Sequence, residues 1–253
     1  MTTGPKIGSI GFQLSGAWPN QEQTVEGISQ ATVAIAEFIA AVSPVEFEWY
    51  ANGSTTPLNL VGREVAQLVA GGVWRHSVTN ATDPSKGYSV TLTGWKSGLP
   101  ADEWAMVVSL SIAVGNTTSV ARNMWPNSVS MKIGDLVPEA EALRLGAAGM
   151  TKLVDSWPVA WARFESFPLR REAVGPVGQP STTAGLMTWI STRLAQVPAS
   201  VPHCRVTDLG DGVLVTMDEV PRQMPSASIL SDVNEFLKRS GSLPDIPAEF
   251  GRR

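Results

Sequence analysis

Apolar and small polar residues alternate through the middle of the chain, and this alternation constrains the fold more than any other feature of the sequence. Apolar residues occupy every second position in three runs, at 88–92, 104–114 and 129–133. A period of two indicates β-strands with one buried face, and antiparallel pairing suits a sheet whose other face is open. The sequence therefore predicts an antiparallel sheet at the centre of the fold.

Helical periodicity appears on both sides of these strands. Apolar residues recur every three or four positions in several segments, which indicates helices with one buried stripe. The segments are 25–42, 61–69, 140–157, 181–194 and 229–237. Asn20 is the predicted N-cap of the first helix and Ser226 that of the last. Further strands are predicted at 7–14 and 159–164, and a hairpin at 206–217 turns at Gly210-Asp211-Gly212.

The order of these elements predicts the fold class. Helices and strands interleave without regular βαβ alternation, which favours an α+β fold in which a mainly antiparallel sheet packs with several helices. A Pro- and Gly-rich excursion is predicted at about 168–180 and could divide the chain. Because each side alone has few strands, we expect one composite domain over residues 1–253.

Composition and charge argue against several classes of function. The chain has 19 Lys and Arg against 23 Asp and Glu, a net charge of −4, whereas cations that neutralise phosphates supply most of the affinity in nucleic-acid binding. The first residues lack a basic stretch followed by an apolar one, and the most apolar helical stretch, 31–42, is too short to span a bilayer. We expect a cytoplasmic protein that binds neither nucleic acid nor membrane.

Side chains that commonly catalyse reactions or bind metals are few. Cys204 is the only cysteine, and His76 and His203 are the only histidines, so the sequence excludes a disulfide framework and a multi-cysteine metal site. It also lacks a phosphate-binding loop, a dinucleotide fingerprint and a Gly-x-Ser-x-Gly nucleophile motif. We expect no catalytic residues, metal or cofactor. The alternative is a thiol-dependent hydrolase that pairs Cys204 with a histidine brought close by folding.

Two groups of residues are candidates for binding a partner. Acidic residues crowd the predicted hairpin and also precede the strand that contains Trp104; they either favour turns and solvation or form a negative surface for a basic partner. These residues are Asp102, Asp208, Asp211, Asp218 and Glu219. Several of the nine tryptophans, Trp95 among them, fall at loops or strand ends. There a tryptophan either packs a loop onto the core or anchors an interface.

Aromatic and glycine positions along the chain carry a family resemblance. Residues 12–18 (FQLSGAW), followed by the long helix and by 47–50 (FEWY), resemble the opening of the bacterial family called immunity protein 52. Segments 157–162 (WPVAWA) and 185–190 (GLMTWI) continue the resemblance in the same order. The resemblance spans nearly the whole chain and rests on scattered positions rather than on a catalytic string.

The resemblance implies an antitoxin that binds and blocks a co-encoded toxin, often a restriction-endonuclease-fold nuclease delivered by type VI secretion. Because a nuclease presents a cationic groove, carboxylates of an inhibitor can occupy it in place of phosphates. We therefore predict contacts with the toxin from Trp95, Asp102 and the hairpin acids Asp208, Asp211, Asp218 and Glu219. An adaptor subunit of a secretion apparatus is a further alternative, and the sequence leaves open whether the protein is a monomer or a small homo-oligomer.

Overall fold

A nine-stranded antiparallel sheet forms the centre of the fold. The computed structural model describes residues 10–19, 21–99, 105–117, 125–174 and 182–243. Within them the strands follow the order β2-β3-β4-β5-β1-β6-β7-β9-β8 across the sheet. The strands are β1 (Ile10–Trp18), β2 (Phe47–Ala51), β3 (Lys86–Lys96), β4 (Met106–Asn116), β5 (Asn127–Gly134), β6 (Trp161–Ser166), β7 (Met187–Ser191), β8 (Cys204–Leu209) and β9 (Gly212–Met217). The predicted α+β class is confirmed.

Five helices accompany the sheet in the described part of the chain. They are α1 (Val25–Val42), α2 (Gly62–Gly71), α3 (Glu139–Ser156), α4 (Phe167–Val174) and α5 (Ala227–Arg239). Ser226 caps α5 as predicted, because its side chain accepts a hydrogen bond from the Ile229 N–H at 3.4 Å. The prediction of Asn20 as the cap of α1 is wrong: the Thr24 hydroxyl accepts from the Gly27 N–H at 3.1 Å, and Asn20 itself lies outside the described residues.

Two predicted segments have a different structure. The helix predicted over 181–194 is instead the strand β7, which lies between β6 and β9 with all five residues buried. A strand buried on both faces has no polar alternation, so its apolar run resembles one turn of a buried helix. Part of the predicted excursion at 168–180 is the helix α4. Its Pro168 stands in the first turn, where a missing N–H is tolerated. Residues 175–181 lie outside the described part.

The alternation along the strands gives the sheet two different faces. On the first face Leu14, Met131 and Phe164 are buried, and α3 packs against β1 and β6. On the second face small hydroxyl side chains are aligned across four neighbouring strands and are half-buried. In register order they are Thr91, Ser111, Ser130 and Ser15. The prediction of strands with one buried face is confirmed for this part of the sheet.

Helix α1 has an apolar composition that resembles a membrane span. Its 18 residues and mean hydropathy of 1.4 would let it cross a bilayer, so the expectation that the apolar stretch 31–42 is too short is wrong: the helix begins six residues earlier. In the fold its apolar stripe, which includes Ile28, Ile35 and Ile39, is buried. The carbonyl of Ala36 accepts a hydrogen bond from Trp49 Nε1 of β2 at 3.3 Å. One face of the helix therefore belongs to the core, and about a third of the helix is buried.

Candidate partner-binding surface

Four of the six predicted contact residues lie on or directly after the β8–β9 hairpin at one edge of the sheet: Asp208 and Asp211 at its turn, and Asp218 and Glu219 after the far end of β9. Gly210 and Asp211 form its two-residue turn, and the φ of +60° at Gly210 is one that glycine adopts without strain. Asp208, Asp211 and Asp218 are exposed, and Glu219 is half-buried. The tight turn brings Asp208 close to Asp211, whereas Asp218 is five residues along the chain from Val213, the cross-strand partner of Asp208, roughly 17 Å at strand spacing.

The charges of these acids are only partly compensated. Asp211 Oδ2 lies 3.7 Å from Arg193 Nε, in a pair whose side chains are largely exposed; such pairs contribute little to stability. Asp208 and Asp218 form no ion pair with any described residue. Glu219 Oε2 is buried and has no hydrogen-bond partner among the described residues. The hairpin thus presents a negative surface with unpaired carboxylates.

The two other predicted contact residues do not join this surface. Trp95 is on β3, the second strand from the opposite edge of the sheet. Six strand spacings of about 4.8 Å separate β3 from β9, so Trp95 lies roughly 29 Å away along the sheet. It is half-buried next to Glu48 of β2 and Met106 of β4. Asp102 lies outside the described residues. A partner that contacts Trp95 would need to span most of the sheet to reach the hairpin.

A cleft of about 560 Å³ opens beside the hairpin turn. Three tryptophans line it: Trp125, Trp157 and Trp189. Asp211 and Arg193 also contribute to the lining, so the acidic turn and the cleft are continuous. The clustering of these tryptophans depends on tertiary structure and is not visible in the sequence.

Sequence reasoning missed a buried ionic cluster on the second face of the sheet. Arg163 Nη2 lies 2.9 Å from Glu165 Oε1, and Arg163 Nη1 donates to Thr183 Oγ1. Arg170 of α4 places its Nε 3.2 Å from Glu165 Oε2, as an ion pair without hydrogen-bond alignment. Burial lowers the pKa of Arg163 to about 10 and raises the pKa of Glu165, although the two arginines oppose the latter rise. Arg163 and Glu165 are two residues apart in a strand, so the sequence indicates that they lie on the same face of the sheet. Arg170 reaches them only through tertiary structure.

The environment of Cys204 is unfavourable for a nucleophilic thiol. Burial raises its pKa to about 12, and repulsion from Asp218 and Glu219 adds to the rise. A catalytic cysteine needs the opposite surroundings, since the thiolate is the reactive form. Among the described residues no hydrogen bond joins Cys204 to the imidazole of His203 or His76, and no group of three or more His, Cys, Asp or Glu could hold a metal ion.

Comparisons with solved structures include a distant structural neighbour of this chain. No protein-family model matches the chain, and no curated protein matches it. Among solved structures it resembles the Pseudomonas aeruginosa T6SS protein PA0821, with 10% identity and a TM-score of 0.43; the match covers 82% of this chain and 68% of that chain. A likeness of this size is too small to assign a function. Membership of the immunity protein 52 family stays a prediction.

Proposed function

We propose that this protein is an immunity protein, which neutralises a secreted toxin by stoichiometric binding and performs no catalysis itself. The observation that carries the proposal is the β8–β9 hairpin, where exposed Asp208 and Asp218 have no cationic partner among the described residues. Unpaired charges at an edge of a fold attract an oppositely charged protein and guide its approach. The family resemblance in the sequence supports the same function.

The charge of the hairpin supports a toxin with a cationic surface. A nuclease has such a surface, since it binds the phosphates of its substrate. We therefore propose a nuclease effector of a type VI secretion system as the toxin, neutralised in the cytoplasm before it cleaves the producer's own nucleic acid. The cleft beside Asp211 would take an apolar side chain of the toxin next to this charged contact.

The experiment is co-expression of this chain with the toxin encoded beside it. We expect the chain to restore growth and to form a complex on gel filtration. A toxin that remains lethal, with no complex formed, would reject the function.

Charge reversal then tests the surface. The double substitution Asp208→Lys and Asp218→Lys should slow association with the toxin by about tenfold or more at low salt, because it replaces attraction by repulsion. The matched control is Glu37→Lys with Glu64→Lys, two exposed acids on α1 and α2. It makes the same change in net charge away from the hairpin and should leave the rate within about twofold. Equal effects of both double substitutions would reject the hairpin as the contact.

A further inference from the structure

The edge strand β8 offers backbone hydrogen-bonding groups as well as charge. In an antiparallel strand, successive residues direct their N–H and C=O groups to opposite sides. The N–H of Asp218 donates to the His203 carbonyl at 3.0 Å, and the N–H of Met217 donates to the Leu186 carbonyl at 3.1 Å. Even-numbered residues of β9 and its extension therefore bond towards β8, and odd-numbered ones bond towards β7.

The register then defines which residues of β8 face outward. Arg205 and Thr207 pair with even-numbered residues of β9, so their backbone groups are used within the hairpin. Val206 and Asp208 direct their N–H and C=O groups away from the sheet. None of these four groups has a hydrogen-bond partner among the described residues. Together they form the pattern that an added strand needs.

The opposite edge of the sheet is protected. There the backbone of β2 also has an outward side, but the chain folds back over it. The Trp49 carbonyl accepts a hydrogen bond from the Leu58 N–H at 2.6 Å, and the Ala51 carbonyl accepts one from the Ser54 N–H at 2.9 Å. Proteins generally cover or block edge strands to prevent unwanted pairing. At the β8 edge the chain covers only the first residue, where the Cys204 N–H donates to the Val201 carbonyl at 3.2 Å. The outward groups of Val206 and Asp208 have no such cover in the described part of the chain.

Side chains along β8 define the chemistry of a partner. Val206 and Asp208 lie on the same face of the sheet, with Cys204 two residues before Val206. Val206 is half-buried and packs against the core. Asp218 bonds through its N–H to the carbonyl of His203, the residue before Cys204, and Asp208 lies at the other end of β8, so acids stand near both ends of this short row. An added strand would meet an apolar position flanked by negative charge.

We propose that β8 binds an extended segment of a partner protein as a further strand of the sheet. In that segment an apolar residue lies opposite Val206, and a Lys or Arg lies two positions to each side. Strand addition at β8 is argued from the structure alone. Only the identity of the natural partner, the toxin, rests on the proposed function. The experiment below contains no toxin, so failure of strand addition and failure of toxin binding are observed separately.

Amide hydrogen exchange of the full chain tests the edge directly. In the free protein the amides of Arg205 and Thr207 should exchange slowly, and those of Val206 and Asp208 should exchange quickly. Slow exchange of all four amides in dilute protein would contradict an open edge. Protection of Val206 and Asp208 that rises with protein concentration alone would identify a second copy of the chain as the occupant, and would overturn the proposal.

A capped synthetic peptide, Gly-Lys-Thr-Val-Thr-Lys-Gly, is the probe for the partner chemistry. Its saturating addition should slow the exchange of the Val206 and Asp208 amides by about tenfold or more. The same peptide with Glu in place of Lys should have no effect, and equal protection by both peptides would overturn the charge assignment. Absence of protection by the Lys peptide would overturn strand addition.

Two substitutions complete the test. Val206→Pro removes an outward N–H that the hairpin does not use, a position where an edge strand tolerates proline. It should weaken binding of the Lys peptide about tenfold or more, as expected for one lost hydrogen bond and a steric block. Asp208→Lys should also weaken binding, whereas Asp232→Lys, on the exposed side of α5, should not. If Val206→Pro perturbs folding, the Asp208→Lys variant and the exchange data still test strand addition. Binding of the Lys peptide that is undiminished by Asp208→Lys would contradict the proposal.

Discussion

Gly146 lies where α3 comes closest to the sheet, and replacing it tests that packing. A Cβ at this position would lie 2.3 Å from two atoms of the Phe164 ring and 2.5 Å from a third. The ring is fully buried, and it stacks on Phe12 with their centroids 5.7 Å apart. Because the ring cannot turn away without displacing Phe12, Gly146→Ala must move the helix or the sheet.

The size of the effect follows from two opposing contributions. Alanine is favoured over glycine inside a helix by about 1 kcal/mol. Overpacking a core costs about 1–3 kcal/mol, and three contacts this short against a confined ring place the cost at the upper end. The free energy of unfolding should therefore fall by about 2 kcal/mol. For a chain of this length the melting temperature should fall by roughly 4–8 °C.

Gly149→Ala is the matched control, one turn further along α3. Its Cβ would lie 3.0 Å from Leu14 Cδ2 and 3.4 Å from Met131 Cε, which are ends of flexible side chains. The gain in helix propensity should offset this crowding, so stability should change by less than about 0.5 kcal/mol. Thermal and urea unfolding of both variants measure the difference. A Gly146→Ala protein as stable as the Gly149→Ala protein would refute the packing described for α3.

Two further predictions concern buried ionisable groups. Glu165→Gln leaves Arg163 and Arg170 buried together without their carboxylate and should lower the free energy of unfolding by about 3 kcal/mol. The exposed pair of Arg144 with Glu141 is the control, where Glu141→Gln should cost less than about 0.5 kcal/mol; equal urea midpoints for the two variants would contradict the role of the cluster. The pKa of Cys204, raised from 9.0 to about 12 by burial, should make its thiolate about a thousandfold scarcer at pH 8 than in an ordinary thiol. Iodoacetamide should therefore alkylate Cys204 much more slowly than it alkylates glutathione, with a rate that rises up to about pH 12, and rapid alkylation at pH 8 would contradict this burial.

The sequence predicted those parts of the fold that local signals determine. Alternation identified β3, β4 and β5, the Gly210-Asp211 turn identified the hairpin, and Ser226 identified the start of α5. The strand β7 was mistaken for a helix because burial on both faces removed its alternation. The insertion of β1 between β5 and β6 depends on pairing between distant segments, which the pattern of a single sequence does not reveal.

In the candidate site, too, the sequence predicted positions that a local signal determines and missed those that depend on the whole sheet. Asp208 and Asp211 lie close together because the hairpin turn joins neighbours in sequence, whereas Asp218 and Glu219 lie at the far end of β9. Trp95 was grouped with them on residue type alone, and the strand order places it near the opposite edge. The unpaired backbone groups of β8 follow from its position as the last strand, which only the complete sheet defines.

Titration of the toxin's activity with the purified chain tests most directly whether the protein acts by binding alone. At toxin concentrations far above the dissociation constant, we expect activity to fall linearly to an equimolar end point. That end point should not change with incubation time, and the toxin should be recovered covalently intact by mass spectrometry. Inactivation by a small fraction of an equivalent, progressing with time or accompanied by modified toxin, would contradict the account.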